Sequence, residues 1–208
     1  MDDRKKIWDE TFKEKSPEEL GWYEEIPEPS LSLIKKYLTE KEELILDAGC
    51  GRGNLLSHLL KEGFRNLQGI DLSSEAIATI SLDLKKENQE IPVSFMTADL
   101  TEKLNFPQKG KLWHDRAVFH FLLDEREREV YITNLKNFLK KDGIFILACF
   151  SKRNSAQMCN GFPVRKYDET ELTELFKKDF ELLENIHYNY TMPWGDTRDF
   201  IYLVFRKF

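Results

Sequence analysis

Cysteine is scarce: only Cys50, Cys149 and Cys159 occur in 208 residues, and none forms a Cys-x-x-Cys pair. That excludes a disulfide framework and a structural zinc knuckle, and the three read as reduced thiols with buried, packing roles. Long apolar runs are missing as well. No stretch reaches the ~20 residues that span a bilayer, and the opening MDDRKKIWDE is charged where a signal peptide is apolar. A cytoplasmic protein with no membrane partner is expected. Positive charge is in deficit, with 31 Lys and Arg against 37 Asp and Glu and a formal net charge of −6. Nucleic acid selects basic surfaces, so no nucleic-acid partner is expected. Histidine and cysteine show no metal-ligand spacing, and no metal is expected.

What is present alternates. Residues 1–30 read as a short helix and a loop, ending at the Pro27–Pro29 break. Pro29–Leu38 has helical spacing, with Ser30 as a candidate cap. Apolar strands are predicted at Glu43–Ala48, Leu67–Ile70, Val93–Thr97, Lys111–Phe119 and Ile144–Phe150. Helices fall between them at Leu55–Lys61, Ser73–Lys86 and Glu125–Lys140, with another at Glu169–Lys177. This rhythm predicts βαβ units and a doubly covered, mainly parallel sheet. Phe180–Tyr190 and Asp199–Phe208 are strand-like, and only the Pro193–Trp194–Gly195 turn joins them. So short a connection forces antiparallel pairing. The predicted fold is α/β and Rossmann-like: seven strands, the last antiparallel, with helices on both faces. The length suits one domain over residues 1–208, comprising an N-terminal helix or lid segment (1–30) and a core (31–208).

The stretch LILDAGCGRGN (Leu44–Asn54) places an acid directly before glycines spaced two apart, at a strand-to-helix junction where open α/β sheets bind ligands. A dinucleotide fingerprint wants a third glycine where Asn54 stands, and Asp47 would repel a pyrophosphate. Asp71, about 20 residues further on, can take a ribose diol. Asp99 follows the third strand, placed to meet an adenine edge. Together these acids describe an adenosine that carries a cationic amino-acid tail.

ILDAGCGRGN, GIDLSSEAI, MTADL and LKKDGIFIL together resemble successive motifs of the class I S-adenosylmethionine-dependent methyltransferases. The resemblance implies S-adenosyl-L-methionine as cofactor. By position, Asp47 and the turn Gly49, Cys50 and Gly51 would hold its methionine part. Asp71 would bind the ribose with Leu72 against the adenine, while Asp99 and Leu100 would address the adenine's amino group and face. His114 would lie near the methionine part through its backbone.

The fourth strand end, WHDRAVFHFL, lacks the Asn/Asp-Pro-Pro-Tyr/Phe segment of amide and adenine methylases. Asp115–Arg116 instead resembles the Asp-Arg of thiopurine S-methyltransferase and its relatives, as do IWDETFKEK with Trp22–Tyr23, Gly161–Phe–Pro163 and Pro193–Trp194–Gly195. The segment pattern also resembles a bacterial family of methyltransferases of undefined substrate. The expected activity is in-line methyl transfer to a small-molecule acceptor, a thiol, chalcogen or amine. Asp115 and Arg116 are the substrate-side candidates. Arg116 would hold an anionic substrate or the cofactor's carboxylate, or else pair with Asp115. Trp22 and Tyr23 are read as a lid, and Trp8, His120 and His187 as packing. The loop Ser151–Arg165, with Cys159, is expected to rim the pocket. A protein lysine methyltransferase and a non-catalytic cofactor-binding module are the rival readings.

Overall fold

The computed structural model describes residues 3–87 and 93–208. In chain order the elements are α1 (Asp3–Glu14), α2 (Ser30–Tyr37), β1 (Ile45–Ala48), α3 (Asn54–Lys61), β2 (Leu67–Asp71), α4 (Ser74–Glu87), β3 (Val93–Thr97), β4 (Gly110–Arg116), α5 (Glu125–Phe138) and β5 (Leu139–Phe150). A two-residue hairpin, β6 (Met158–Cys159) and β7 (Phe162–Pro163), precedes α6 (Glu169–Phe176), β8 (Phe180–Thr191) and β9 (Thr197–Lys207). The main sheet has the order β3-β2-β1-β4-β5-β9-β8. β1 to β5 pair in parallel, and β9 lies antiparallel between β5 and β8, as the short final connection requires. Strand order reverses across β1 and β4, which opens a crevice at their carboxyl ends.

Both faces of the sheet are buried. Along β5, Ile144, Ile146, Ala148 and Phe150 pack with α2 and α3, while Phe145, Leu147 and Cys149 pack with α5 and α6. This two-residue period explains why the segment reads as continuously apolar. On the second face Trp113 sits edge-on to Phe106, Tyr131 and Phe138, with ring centroids 5.6–6.1 Å apart. No described helix is long and apolar enough to cross a membrane.

Element boundaries shift where side chains capture backbone. β4 stops at Arg116 rather than Phe119 because Ala117 turns to φ +73. The buried Asp115 carboxylate then accepts N–H bonds from Val118 (2.9 Å) and Phe119 (3.2 Å). α5 ends at Phe138, two residues early, and the chain pairs at once as β5; Asp142 at φ +56 sits within β5, where the register with β4 jumps from Leu139 to Ile144. Ser30 does not cap α2. Pro29 holds that position, and the Ser30 hydroxyl lies 2.9 Å from His114 Nε2. The hairpin within the 151–165 loop was not anticipated; Asn160 (φ +46) and Gly161 (φ +81) supply its tight turn.

α1 docks through its acid. Asp9 Oδ1 accepts bonds from the Ser73 hydroxyl (2.7 Å) and the Glu75 N–H (3.2 Å) at the start of α4, and Lys5 donates to Oδ2 at 2.7 Å. Burial raises this carboxyl, but the bonds from Lys5, Ser73 and Glu75 outweigh it and bring the pKa down to about 2. β4 begins in a tight contact: a Cβ on Gly110 would stand 2.1 Å from Phe138 Cζ and 2.9 Å from the Leu44 carbonyl. Gly110→Ala should therefore cost about 1–3 kcal/mol, measured as a lower urea midpoint with an unchanged slope.

Candidate active site

The glycine turn is held from β2. The N–H groups of Gly49 and Cys50 both donate to the Ile70 carbonyl, at 2.7 and 3.0 Å. The Gly51 N–H donates to Asp71 Oδ2 at 2.8 Å. Gly49 sits at φ +72, and a Cβ there would lie 2.1 Å from Val118 Cγ2. Only glycine allows this turn to close against the segment after β4.

Above the turn lies a cavity of about 630 Å³, within the range of small-ligand sites. Gly49, Gly51, Asp71, Leu72, Asp99 and Leu100 all line it. Asp71 Oδ1 accepts from the Ser73 N–H at 2.8 Å, so two backbone bonds orient the carboxylate. Burial raises its pKa to about 6, against the pull of those bonds. Asp99 Oδ1 accepts from the Thr101 N–H and hydroxyl at 2.8 and 2.6 Å. The opposite oxygen lies 3.7 Å from Arg4. Two acids, each followed by a leucine, and a turn whose cavity-lining residues Gly49 and Gly51 carry no Cβ fit an adenosine with an extended tail. The residues present therefore suit S-adenosylmethionine.

Other expected residues stand elsewhere. Asp47, Cys50, His114 and Asp115 do not line the cavity. The Asp47 carboxylate accepts from His114 Nδ1–H at 2.7 Å, beneath the turn. His114 contributes through its ring rather than only its backbone. Cys50 is buried against β2, where burial pushes its thiol pKa up. Asp115 is fully buried and accepts the Tyr131 hydroxyl at 2.5 Å in addition to two N–H groups. It organises the chain after β4 and offers nothing to a substrate.

Arg116 does line the cavity, yet its partner is not Asp115. Its Nη1 donates to the Trp22 carbonyl (2.9 Å) and its Nε to the Tyr202 hydroxyl (3.1 Å). Its Nη2 lies 3.0 Å from Glu24 Oε2, an ion pair without hydrogen-bond alignment. Trp22 lines the cavity, whereas Tyr23 faces a separate surface groove. Trp8 also lines it, stacked on Phe162 at 5.7 Å and edge-on to Trp22 at 5.5 Å. Phe121, Phe150, Met192, Trp194, Arg198 and Phe200 complete this end. Their remoteness in sequence hid them, although the Pro193–Trp194–Gly195 turn was a signal. His120 is buried, accepts the Phe150 N–H at its Nδ1 (3.3 Å) and has its pKa lowered to about 3 by burial and by Arg116. It does not line the cavity.

A methyltransferase-domain family profile matches residues 45–143, from β1 into the turn of β5. Over that stretch, just under half of its length, the chain is similar to methyltransferase domains. The EEF1A lysine methyltransferase 2 of Danio rerio is 27% identical to it over 202 residues, covering 88% of this chain and 77% of that protein. A relative from Geobacillus sp. (strain WCH70), assigned to the methyltransferases, is 31% identical over 113 residues. That match covers 54% of this chain and less than half (44%) of that protein. Among solved structures, the Burkholderia thailandensis 1,6-didemethyltoxoflavin-N1-methyltransferase, with its substrate and S-adenosylhomocysteine bound, shares the fold at a TM-score of 0.70. It is 21% identical, with 89% of this chain and 80% of that chain covered.

Asp71 gives the site a pH dependence. If Asp71 takes a ribose diol, as the motifs imply, its carboxylate must be ionised, and its pKa in the free site is about 6. Calorimetric affinity for S-adenosylhomocysteine should be flat above pH ~7 and fall about tenfold per pH unit well below pH ~6. Asp71→Asn should flatten that profile and weaken binding roughly 10- to 100-fold at pH 8.

Proposed function

We propose that the protein methylates a small, flat, largely apolar acceptor whose attacking atom needs no base, with a thiol or other chalcogen the best match. One observation carries this reading. The cavity beyond the glycine turn is walled by Trp8, Trp22, Phe121, Phe150 and Phe200 and holds Arg116 and Arg198, while no histidine or tyrosine is among the described residues lining it. Bound S-adenosylmethionine would supply a methyl group already activated as a sulfonium. Asp71 and Asp99 would hold its adenosine, and the turn Gly49–Gly51 would pass its methionine part at backbone distance. The aromatic walls then exclude water and confine the acceptor to an in-line approach. An acceptor that must lose a proton during attack would want a neighbouring base. A thiolate arrives without that proton.

A second reading, transfer to a protein lysine, is favoured by the Danio rerio relative named above. It also draws on the exposed Leu123, Met158 and Trp194 at the cavity mouth. A methyl-labelled donor offered to aromatic thiols, alkylamines and an unfractionated lysate separates the two. Label should pass to the aromatic thiols, with rates that rise as pH passes each thiol's pKa. Label concentrated in one protein band, with no thiol methylation, would overturn the small-molecule reading.

A further inference from the structure

Three arginines line the cavity and differ in what surrounds them: Arg4 pairs with Glu127 at 2.9 Å and lies 3.7 Å from Asp99. Arg116 is neutralised by Glu24 at 3.0 Å and is spent on Trp22 and Tyr202. Arg198 lines the same cavity and makes one hydrogen bond, from Nη1 to the Thr197 carbonyl at 2.8 Å. No carboxylate among the described residues lies within 4.0 Å of its guanidinium. Its remaining N–H groups have no hydrogen-bond partner among the described residues at the cavity wall and are open to a ligand's acceptors.

Its place in the sheet puts it at the acceptor end. β9 lies four strands from β2, which bears Asp71; at 4.7–4.9 Å per strand that is roughly 19 Å across the sheet. β9 is antiparallel, and Phe200 pairs with Phe150 at the carboxyl end of β5. Arg198, two residues earlier, therefore projects past the strand ends on the side away from the adenosine acids. Its field is felt there: burial pushes the Cys159 thiol pKa up to about 11 against the pull of Arg198 and Arg116. A protein of net charge −6 thus keeps a guanidinium without a carboxylate partner beside an aromatic chamber.

We infer that Arg198 is the anchor for an anionic group on the acceptor, so that the substrate class is a flat apolar molecule bearing a carboxylate or similar anion. The inference rests on the small-molecule reading and sharpens it. A guanidinium binds a carboxylate through a two-pronged, charge-assisted contact that an ammonium cannot reproduce. The same cation repels a lysine side chain. The anion also complements the positive charge that the donor brings to the neighbouring end.

The test uses two probes of one shape, 2-mercaptobenzoate and 2-mercaptobenzamide, titrated calorimetrically into the full chain saturated with S-adenosylhomocysteine. The wild type should bind the acid about tenfold or more tightly than the amide. Arg198→Gln should lose that preference by weakening only the acid, and Arg198→Lys should keep part of it. S-adenosylhomocysteine affinity should be unchanged in both variants, which reports an intact fold and donor end. Equal binding of acid and amide by the wild type, binding of neither, tighter binding of a cationic thiol such as cysteamine, or an unaffected Arg198→Gln would each overturn the inference. Failure of S-adenosylhomocysteine to bind the wild type would instead sink the functional reading beneath it.

Discussion

Three carboxylates stand buried side by side at the strand ends, and the loops above them are shaped by the need to satisfy them. Asp47, Asp71 and Asp115 are 4%, 8% and 0% exposed. An ionised carboxylate there is tolerable only when donors converge on it. Asp71 draws the Gly51 and Ser73 N–H groups, which fixes both the glycine turn and the start of α4. Asp115 draws Val118, Phe119 and Tyr131, which ends β4, turns Ala117 to positive φ and brings Phe121 to the cavity. Burial raises the pKa of both Asp71 and Asp115 to about 6 despite these donors. The geometry of the site is thus a by-product of satisfying three buried acids with backbone and side-chain donors.

The third acid extends the constraint across the sheet. Asp47 is bonded to His114, whose other nitrogen meets Ser30. The Ser30 hydroxyl lies 3.4 Å from the Tyr202 hydroxyl, which accepts from Arg116. This chain runs from β1 through β4 and α2 to β9, beneath the cavity. It links the strand that leads into the glycine turn to the arginine that holds Trp22. In a low-dielectric interior each bond strengthens its neighbour, and leaving any member unpaired would be costly.

Period and turn chemistry made most of the fold legible. β3 matches its predicted residues, and the reversed last strand follows from the length of one turn. At the site, Gly49, Gly51, Asp71, Leu72, Asp99 and Leu100 line the cavity as read from the motifs. What could not be read depends on contacts distant in sequence. Asp9 caps α4 from about 64 residues away, so Trp8, treated as packing, is carried into the cavity wall. Asp115 looks like a substrate residue until Tyr131, one turn and a helix later, is seen to donate to it. Arg198 has no motif around it. Its significance comes from the lack of a neighbouring acid, a property of three-dimensional placement alone.

Glu24 gives the two arginines different work. Buried ion pairs seldom add net stability, because desolvation offsets the attraction; their value lies in where they fix the chain. Here the fixed element is the strap 22–24, which offers its acceptors to donors from the core. The Trp22 carbonyl takes Arg116, the Tyr23 carbonyl takes the Tyr190 hydroxyl at 2.5 Å, and Glu24 takes Tyr188 at 2.9 Å while its carbonyl takes Asn54. The Arg116 guanidinium also lies 5.0 and 5.1 Å from the ring centroids of Tyr190 and Phe200. Without Glu24, two bare guanidiniums would face a site whose donor is itself a cation, and like charges in a sheltered cavity repel strongly. Neutralising one of them turns Arg116 into a positioning residue and leaves Arg198 as the guanidinium without a carboxylate partner, at the end of the cavity furthest from Asp71 and Asp99.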